Sequence, residues 1–188
     1  MIVRVYRILS AVFLLVAIIG SFAIPRRNLR TTGQVAGIAL DWEEEQIKAS
    51  FELYVPALDE TIGKESKTVV GYGSSLEECI VNATRTNGDD LFVNDASALI
   101  VAGEYDEYLL NHVFEYFCSL KNTHMDLPVF FTLGQNAEQI FAEEGSVISI
   151  SLAASAKSLK QTQTLKNLMN GVGKRILIEG KGGYEIIS

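Results

Sequence analysis

A mixed α/β or α+β domain, a mixed β-sheet with packed helices preceded by one N-terminal hydrophobic helix, is the fold class this sequence predicts. Three observations lead there. Two long β-type segments flank a charged turn near the start of the domain. The middle then alternates compact apolar runs with stretches whose apolar residues recur every three or four positions, as strands and helices alternate around a shared sheet. Ahead of both lies an uncharged run, Ile8 to Ile24, with arginines on either side.

That first run comes from residues 1–30, expected to be a signal peptide or a transmembrane anchor with basic flanks. Arg4 and Arg7 precede it and Pro25-Arg26-Arg27 closes it. Seventeen helical residues span roughly 26 Å, just short of a bilayer core of about 30 Å. Ser21-Phe22-Ala23 offers a small-x-small cleavage pattern, so a secreted product cut after Ala23 is the alternative to an anchor. Arginines lie on both flanks, so the positive-inside rule favours neither orientation. A short apolar region starting near residue 8 has the shape of an export signal, which places the domain on the extracytoplasmic side.

Residues 31–188 are expected to form a single domain. Gln34–Asp41 and Ile47–Val55 are its first two strands, around Glu43-Glu44-Glu45. In the second, Ile47, Ala49, Phe51, Leu53 and Val55 alternate with Lys48, Ser50, Glu52 and Tyr54, the period of a strand with one buried face. Thr68–Tyr72 is a short strand leading through Gly73 to a helix. Ser75-Leu76-Glu77-Glu78 is a capping-box pattern, and Asn87-Gly88 ends that helix. Ala98–Ala102 suits a central strand. Tyr105, Tyr108, Leu109, His112, Val113, Tyr116, Phe117 and Leu120 share one helical face. Val129–Leu133 is a buried strand, Asn136–Phe141 a short helix, and Leu152–Met169 one longer helix stopped by Gly171 and Gly173. Arg175–Glu179 and Tyr184–Ile187 form a hairpin around Gly180-Lys181-Gly182-Gly183.

Charge excludes one function class. Five of the 16 basic residues fall in residues 1–30, where no acidic residue occurs. The remainder holds 11 basic against 23 acidic side chains, a net charge of −12. Such a surface repels a phosphate backbone, so nucleic acid is not a partner.

Chemical motifs are weak throughout. Gly71-Tyr72-Gly73 before a helix invites a nucleotide reading, but the third glycine is missing. Glu77 and Glu78 in the first turn also oppose a bound phosphate. A tight turn with a capped helix is the better account. Gly171-Val172-Gly173-Lys174 lacks the first glycine of a P-loop, and Arg175 stands where a magnesium-holding hydroxyl belongs. His112 sits on the apolar stripe of its helix, as a hydrogen-bonded core or rim histidine does. His124 lies near Asp126 with no Gly-x-Ser-x-Gly nucleophile elbow in the chain. Cys79 and Cys118 permit one disulfide, although lone cysteines more often serve as small core residues. They lack zinc-site spacing, and Glu43-Glu44-Glu45 lacks calcium-loop spacing. No catalytic, cofactor-binding or metal-ligating residue is assigned.

The order of segments resembles the amino-terminal domain of the Ger(x)C family, the C subunits of bacterial spore-germination nutrient receptors. Gln34-Val35-Ala36-Gly37-Ile38-Ala39-Leu40-Asp41 is similar to its opening strand, and the alternating strand to Val55-Pro56 follows as in the family. Val70-Gly71-Tyr72-Gly73-Ser74-Ser75-Leu76-Glu77-Glu78-Cys79 is similar to its glycine-rich approach to a helix. Leu91-Phe92-Val93-Asn94 with Ala98–Glu104, then Leu127–Gln135 and Ala137–Phe141, complete the likeness, which covers roughly residues 34–141.

The resemblance implies a non-enzymatic, membrane-associated subunit of a receptor-like complex at the cell or spore inner membrane, with integral-membrane receptor subunits as partners. It supplies no active-site residues and leaves any nutrient ligand unidentified. Family members are typically lipoproteins with further domains. With no cysteine near its start and an end at Ser188, the chain is expected to be a truncated or split member held by Ile8–Ile24. Two alternatives are an exported module binding a small ligand or envelope polymer, and a small secreted hydrolase using His112 or His124. The first predicts a deep apolar cavity, the second a pocket pairing histidine with carboxylate.

Overall fold

The alternation of Ile47, Ala49, Phe51 and Leu53 gives a sheet one apolar face, and that face lies at the centre of the domain. In the computed structural model, residues 32–55, 65–103, 106–120, 125–142, 147–160, 163–172, 176–180 and 184–187 are described. The hydrophobic run expected to form an N-terminal helix lies outside them. Among the described residues, no helix is long and apolar enough to cross a membrane.

The elements run β1 (Thr32–Glu43), β2 (Gln46–Val55), β3 (Glu65–Gly73), α1 (Leu76–Asn87), β4 (Asp90–Phe92), β5 (Ala98–Ala102) and α2 (Asp106–Ser119). Then follow β6 (Val129–Thr132), a 3-10 helix (Ala137–Ala142), α3 (Ile148–Ser158), α4 (Leu165–Met169), β7 (Leu177–Gly180) and β8 (Tyr184–Ile187). The strands lie in the order β3-β2-β1-β5-β6-β7-β8, with β4 paired to β1 off this path. β1, β5, β6 and β7 run parallel, whereas β2, β3 and β8 are antiparallel to their neighbours. The sheet is therefore mixed, with helices packed against it, as the sequence predicts.

Both faces are covered. On the first, Ile38, Leu40, Phe51, Leu99, Val101, Val129 and Phe131 pack with Leu76, Cys79 and Ala83 of α1 and Leu109, Val113 and Phe117 of α2. On the second, Ala39, Ala98, Ile100 and Phe130 pack with Ala137, Ile140 and Phe141 of the 3-10 helix and Ile148, Leu152 and Ala156 of α3. Each large apolar side chain removed from water contributes about 1.5–3 kcal/mol, so the two layers together fix the sheet between them.

This two-sided cover corrects the expected single buried face of β2. Ser50 and Glu52, which alternation alone sends towards solvent, are both fully buried. The single helix expected over Leu152–Met169 is also corrected. It is two helices, α3 and α4, with Lys160 at φ 56° beyond the first and Thr164 capping the second. Between them the chain pairs with β6's lead-in, Val129 N–H donating to Gln163 O and Leu165 N–H to Leu127 O. An extended segment that makes such bonds cannot also be helical.

Local signals place the other boundaries. Ser75 caps α1 by accepting from Glu78 N–H at 3.2 Å. The reciprocal arm falls one residue earlier than a capping box requires: Glu78 Oε2 accepts from Ser74 N–H at 2.9 Å and from Ser74 Oγ at 2.8 Å. Gly88 ends the helix in the left-handed region at φ 82°. The β1–β2 turn puts Glu44 and Glu45 at φ 50° and 63°, the two positive angles of a twist-matched hairpin turn. In α2, Leu109, Leu110, Val113 and Phe117 are buried, whereas Tyr108 is exposed and His112 and Tyr116 are half-buried. The expected hairpin at the end is β7 and β8, paired from Leu177 opposite Ile187 to Gly180 opposite Tyr184.

Candidate functional site

The second sheet face buries charge: Asp41 and Glu52 are both almost fully shielded from water. Asp41 lies near the end of β1 and Glu52 in mid-β2, both pointing towards the layer formed by the 3-10 helix and α3. Asp41 is 3% exposed, and its two oxygens accept from Ala137 N–H at 2.6 Å and Glu138 N–H at 3.0 Å. Glu52 accepts from Ile148 N–H at 2.8 Å, Ser149 N–H at 3.0 Å and Ser149 Oγ at 2.5 Å. Each carboxylate thus satisfies open amides at a helix start and faces the positive end of the backbone dipoles. Gly37, on the same face of β1, leaves room for this: a Cβ there would lie 1.6 Å from Ser149 Oγ. In the opening strand that carries the resemblance, Gly37 and Asp41 therefore seat α3 and the 3-10 helix.

Lys48 neutralises part of this acidity. Its ammonium is 2.9 Å from Glu43 and 2.7 Å from Glu138, and it lies 5.8 Å from the Tyr72 ring centre. The Glu138 and Glu43 carboxylates hold its pKa above the ordinary lysine value. Burial raises the Asp41 pKa above its ordinary 3.8, against the opposing pull of the two amides and Lys48. A raised folded-state value means that this group favours folding below 3.8 and loses that contribution as pH rises through the folded pKa. Consequently, the stability of the native chain relative to Asp41→Asn should fall as pH rises through the window just above 3.8. Urea melts of both proteins across that window measure it, and a difference that rises with pH contradicts the assignment.

Beside Asp41 a cleft of about 250 Å³ opens at the carboxyl ends of β1, β5 and β6. Asp41, Trp42, Ala102, Gly103, Gly134, Gln135 and Asn136 line it. Gly103 permits the close approach of β5 to β6, since a Cβ there would lie 2.5 Å from Thr132 O. Thr132 Oγ donates to Gln135 O at 2.7 Å, and Gly134 sits at φ 63°, so the loop after β6 turns tightly around the cleft. The Trp42 ring meets Tyr108 edge-on at 4.7 Å.

The residues weighed in the sequence fall elsewhere. His112 packs edge-on against Tyr108 at 4.8 Å, with Nδ1 3.7 Å from Glu115 Oε2, and is not part of the cleft. His124, Gly173 and Lys174 lie outside the described residues, as does Tyr105. Among the described residues the cleft holds a carboxylate without a histidine, and its polar lining differs from the apolar cavity expected of a binding module. Gly71 and Gly73 serve packing rather than phosphate: Cβ atoms there would lie 2.0 Å from Cys79 O and 2.8 Å from Glu78 Cβ. Asn82 ties the same helix to its strand by donating to Tyr72 O at 2.7 Å. Cys79 and Cys118 are both free thiols, the first buried and the second exposed. Burial pushes the Cys79 thiol up to about 12, and its Sγ donates to Ile47 O at 3.4 Å, so it is a core residue. Among the described residues, no three His, Cys, Asp or Glu side chains are grouped to hold a metal ion.

Sequence reasoning missed Asp41, Glu52, Gln135 and Asn136. Nothing local distinguishes them, because each is defined by segments brought together only in the fold. No curated protein and no solved structure matches the chain. The family model of the spore germination protein N-terminal domain matches residues 25–172, most of the chain, and the chain belongs to that family.

Proposed function

We propose that this chain acts as a non-enzymatic, membrane-associated subunit of a receptor-like complex in nutrient-triggered spore germination. Its domain stands on the extracytoplasmic side of the cell or spore inner membrane and contacts integral-membrane subunits. The family match over residues 25–172 carries this reading. The employment of Asp41, Glu52 and Lys48 supports a role in contact rather than catalysis, since the two carboxylates hold helix starts and Lys48 pairs with Glu43 and Glu138. Ile8–Ile24 is the segment available for membrane attachment.

The test is expression of the full-length tagged chain in a spore former lacking its own copy. Membrane fractionation, intact-mass measurement and cross-linking should return a membrane-bound product captured with integral-membrane proteins. Deletion of residues 1–30 should release the domain and slow nutrient-triggered germination. A soluble product starting at Ile24 defeats the anchor, and unchanged germination without the gene defeats the role.

A further inference from the structure

Positive charge is concentrated in one stretch of an otherwise acidic domain. From Gly145 to Ile178 the chain has five basic and no acidic side chains, so all 23 Asp and Glu residues lie outside it. Most of this stretch is the connection from α3 through α4 to β7, which returns to the amino end of the parallel strands. There Val129 N–H, at the start of β6, donates to Gln163 O, and Leu165 N–H donates to Leu127 O. Gln163 Nε2 donates to Val172 O at 3.0 Å, which fastens the chain after α4 to the same end. Three large apolar side chains of this connection stand in water: Leu159 is 55% exposed, Met169 41% and Val172 61%. Lys157, Lys160 and Lys166 are interleaved with them in sequence and exposed, and among the described residues none of these lysines pairs with a carboxylate. Asp126 ahead of β6 and Asp90 of β4 are exposed at the same end, so the basic group occupies its β6–β7 side.

From this placement we infer that Leu159, Met169 and Val172, with Lys157, Lys160 and Lys166, dock the amino end of the sheet on a bilayer surface rich in anionic phospholipid. The inference rests on the membrane-anchored reading above and adds the face and the lipid chemistry. Apolar side chains framed by lysines suit the bilayer boundary, where aliphatic groups enter the headgroup layer and ammonium groups meet lipid phosphates. Each such lysine strengthens binding about fivefold, within the range that salt screening sets. The acidic remainder of the domain is repelled by the same lipids, which leaves this face as the compatible one. The chain also enters here. Thr32 pairs with Asp90 of β4, ahead of the β1–β5 pairing that begins at Gly37. Eight Cα steps lead from Ile24 to Thr32, a reach of at most about 29 Å. An anchor ending at Ile24 therefore tethers the domain by its docking end.

The full-length protein is reconstituted into vesicles of phosphatidylcholine, with or without phosphatidylglycerol, that carry a doxyl-lipid quencher. Cys118→Ala removes the exposed thiol, and Cys79 is buried, so a dye is directed to one introduced cysteine. Asn170→Cys places it beside Met169, and Glu107→Cys places it in the first turn of α2, beyond the carboxyl end of β5. Both positions are exposed. Dye at 170 should be quenched about threefold more with phosphatidylglycerol than without, and salt of about 0.5 M should abolish the difference. Dye at 107 should not respond. Lys160→Gln with Lys166→Gln should keep the thermal melt and lower quenching at 170 to its phosphatidylcholine level. Equal quenching at 170 in both lipids, an equal response at 107, or a double variant that docks like its parent overturns the inference. A carbonate wash after the quenching measurement reports the anchor separately. Protein released by the wash defeats the anchored reading, whereas protein retained without lipid-dependent quenching defeats the docking alone.

Discussion

Glu52→Ala is expected to destabilise the domain by about 3 kcal/mol, a large share of the ordinary stability of a domain this size. The residue at the start of α3, Val147, makes no side-chain capping bond, and Glu52 provides the acceptors for Ile148 N–H, Ser149 N–H and Ser149 Oγ. Truncation strands these donors in a layer where both Ile148 and Ser149 are buried. Each stranded donor costs about 1–3 kcal/mol, while relief of a buried charge offsets part of the total. Glu52→Gln should cost less, about 1–2 kcal/mol, because its amide keeps one accepting oxygen but turns donors towards donors. Urea midpoints at constant m-value measure both, and hydrogen exchange at Ile148 and Ser149 should quicken before that of β1. A loss under about 0.5 kcal/mol in Glu52→Ala would mean that α3 begins without this carboxylate.

The difference between β2 and α3 explains what was legible in the sequence. β2 announces itself because its neighbours in sequence carry the alternation, and α1 because Ser75 and Gly88 stand at its ends. Glu52 gives no such sign. A glutamate between Phe51 and Leu53 has the pattern of a solvent-facing position, and its burial depends on a helix 96 residues further along the chain. Asp41 is hidden for the same reason, as is the cleft, which joins the ends of three strands to a loop. The break between α3 and α4 was obscured by apolar spacing that runs on through Leu159 and Leu165. Only the pairing of Gln163 and Leu165 with the lead-in to β6 shows that the intervening backbone is committed elsewhere. The glycines were visible. Gly71 and Gly73 read as a tight turn before a capped helix rather than a phosphate loop, and the distances to Cys79 and Glu78 supply the close helix–strand contact behind that reading.

Gly37→Ala should cost about as much as loss of the Glu52 carboxylate, roughly 3 kcal/mol, because both changes act on the same joint. Gly37 is directly opposite Glu52 in the β1–β2 register, beside an irregularity between Val35 and Gly37. A methyl group added there would lie 1.6 Å from Ser149 Oγ and 2.5 Å from Ser149 Cβ, with Phe141 Cζ 3.2 Å away. Rotating the serine cannot relieve a clash with its Cβ, so α3 must retreat from β1. Retreat draws Ile148 N–H and Ser149 N–H off the Glu52 carboxylate, turning a steric cost into an electrostatic one. Ser149→Gly removes both obstructing atoms at a cost of about 1 kcal/mol for glycine in the first turn, besides its lost hydroxyl bond. Combined with Gly37→Ala, it should restore about 1–2 kcal/mol relative to the sum of the single changes. Simple additivity in that double-mutant cycle, or a Gly37→Ala protein as stable as its parent, would show that β1 and α3 are not held at this distance by the missing side chain.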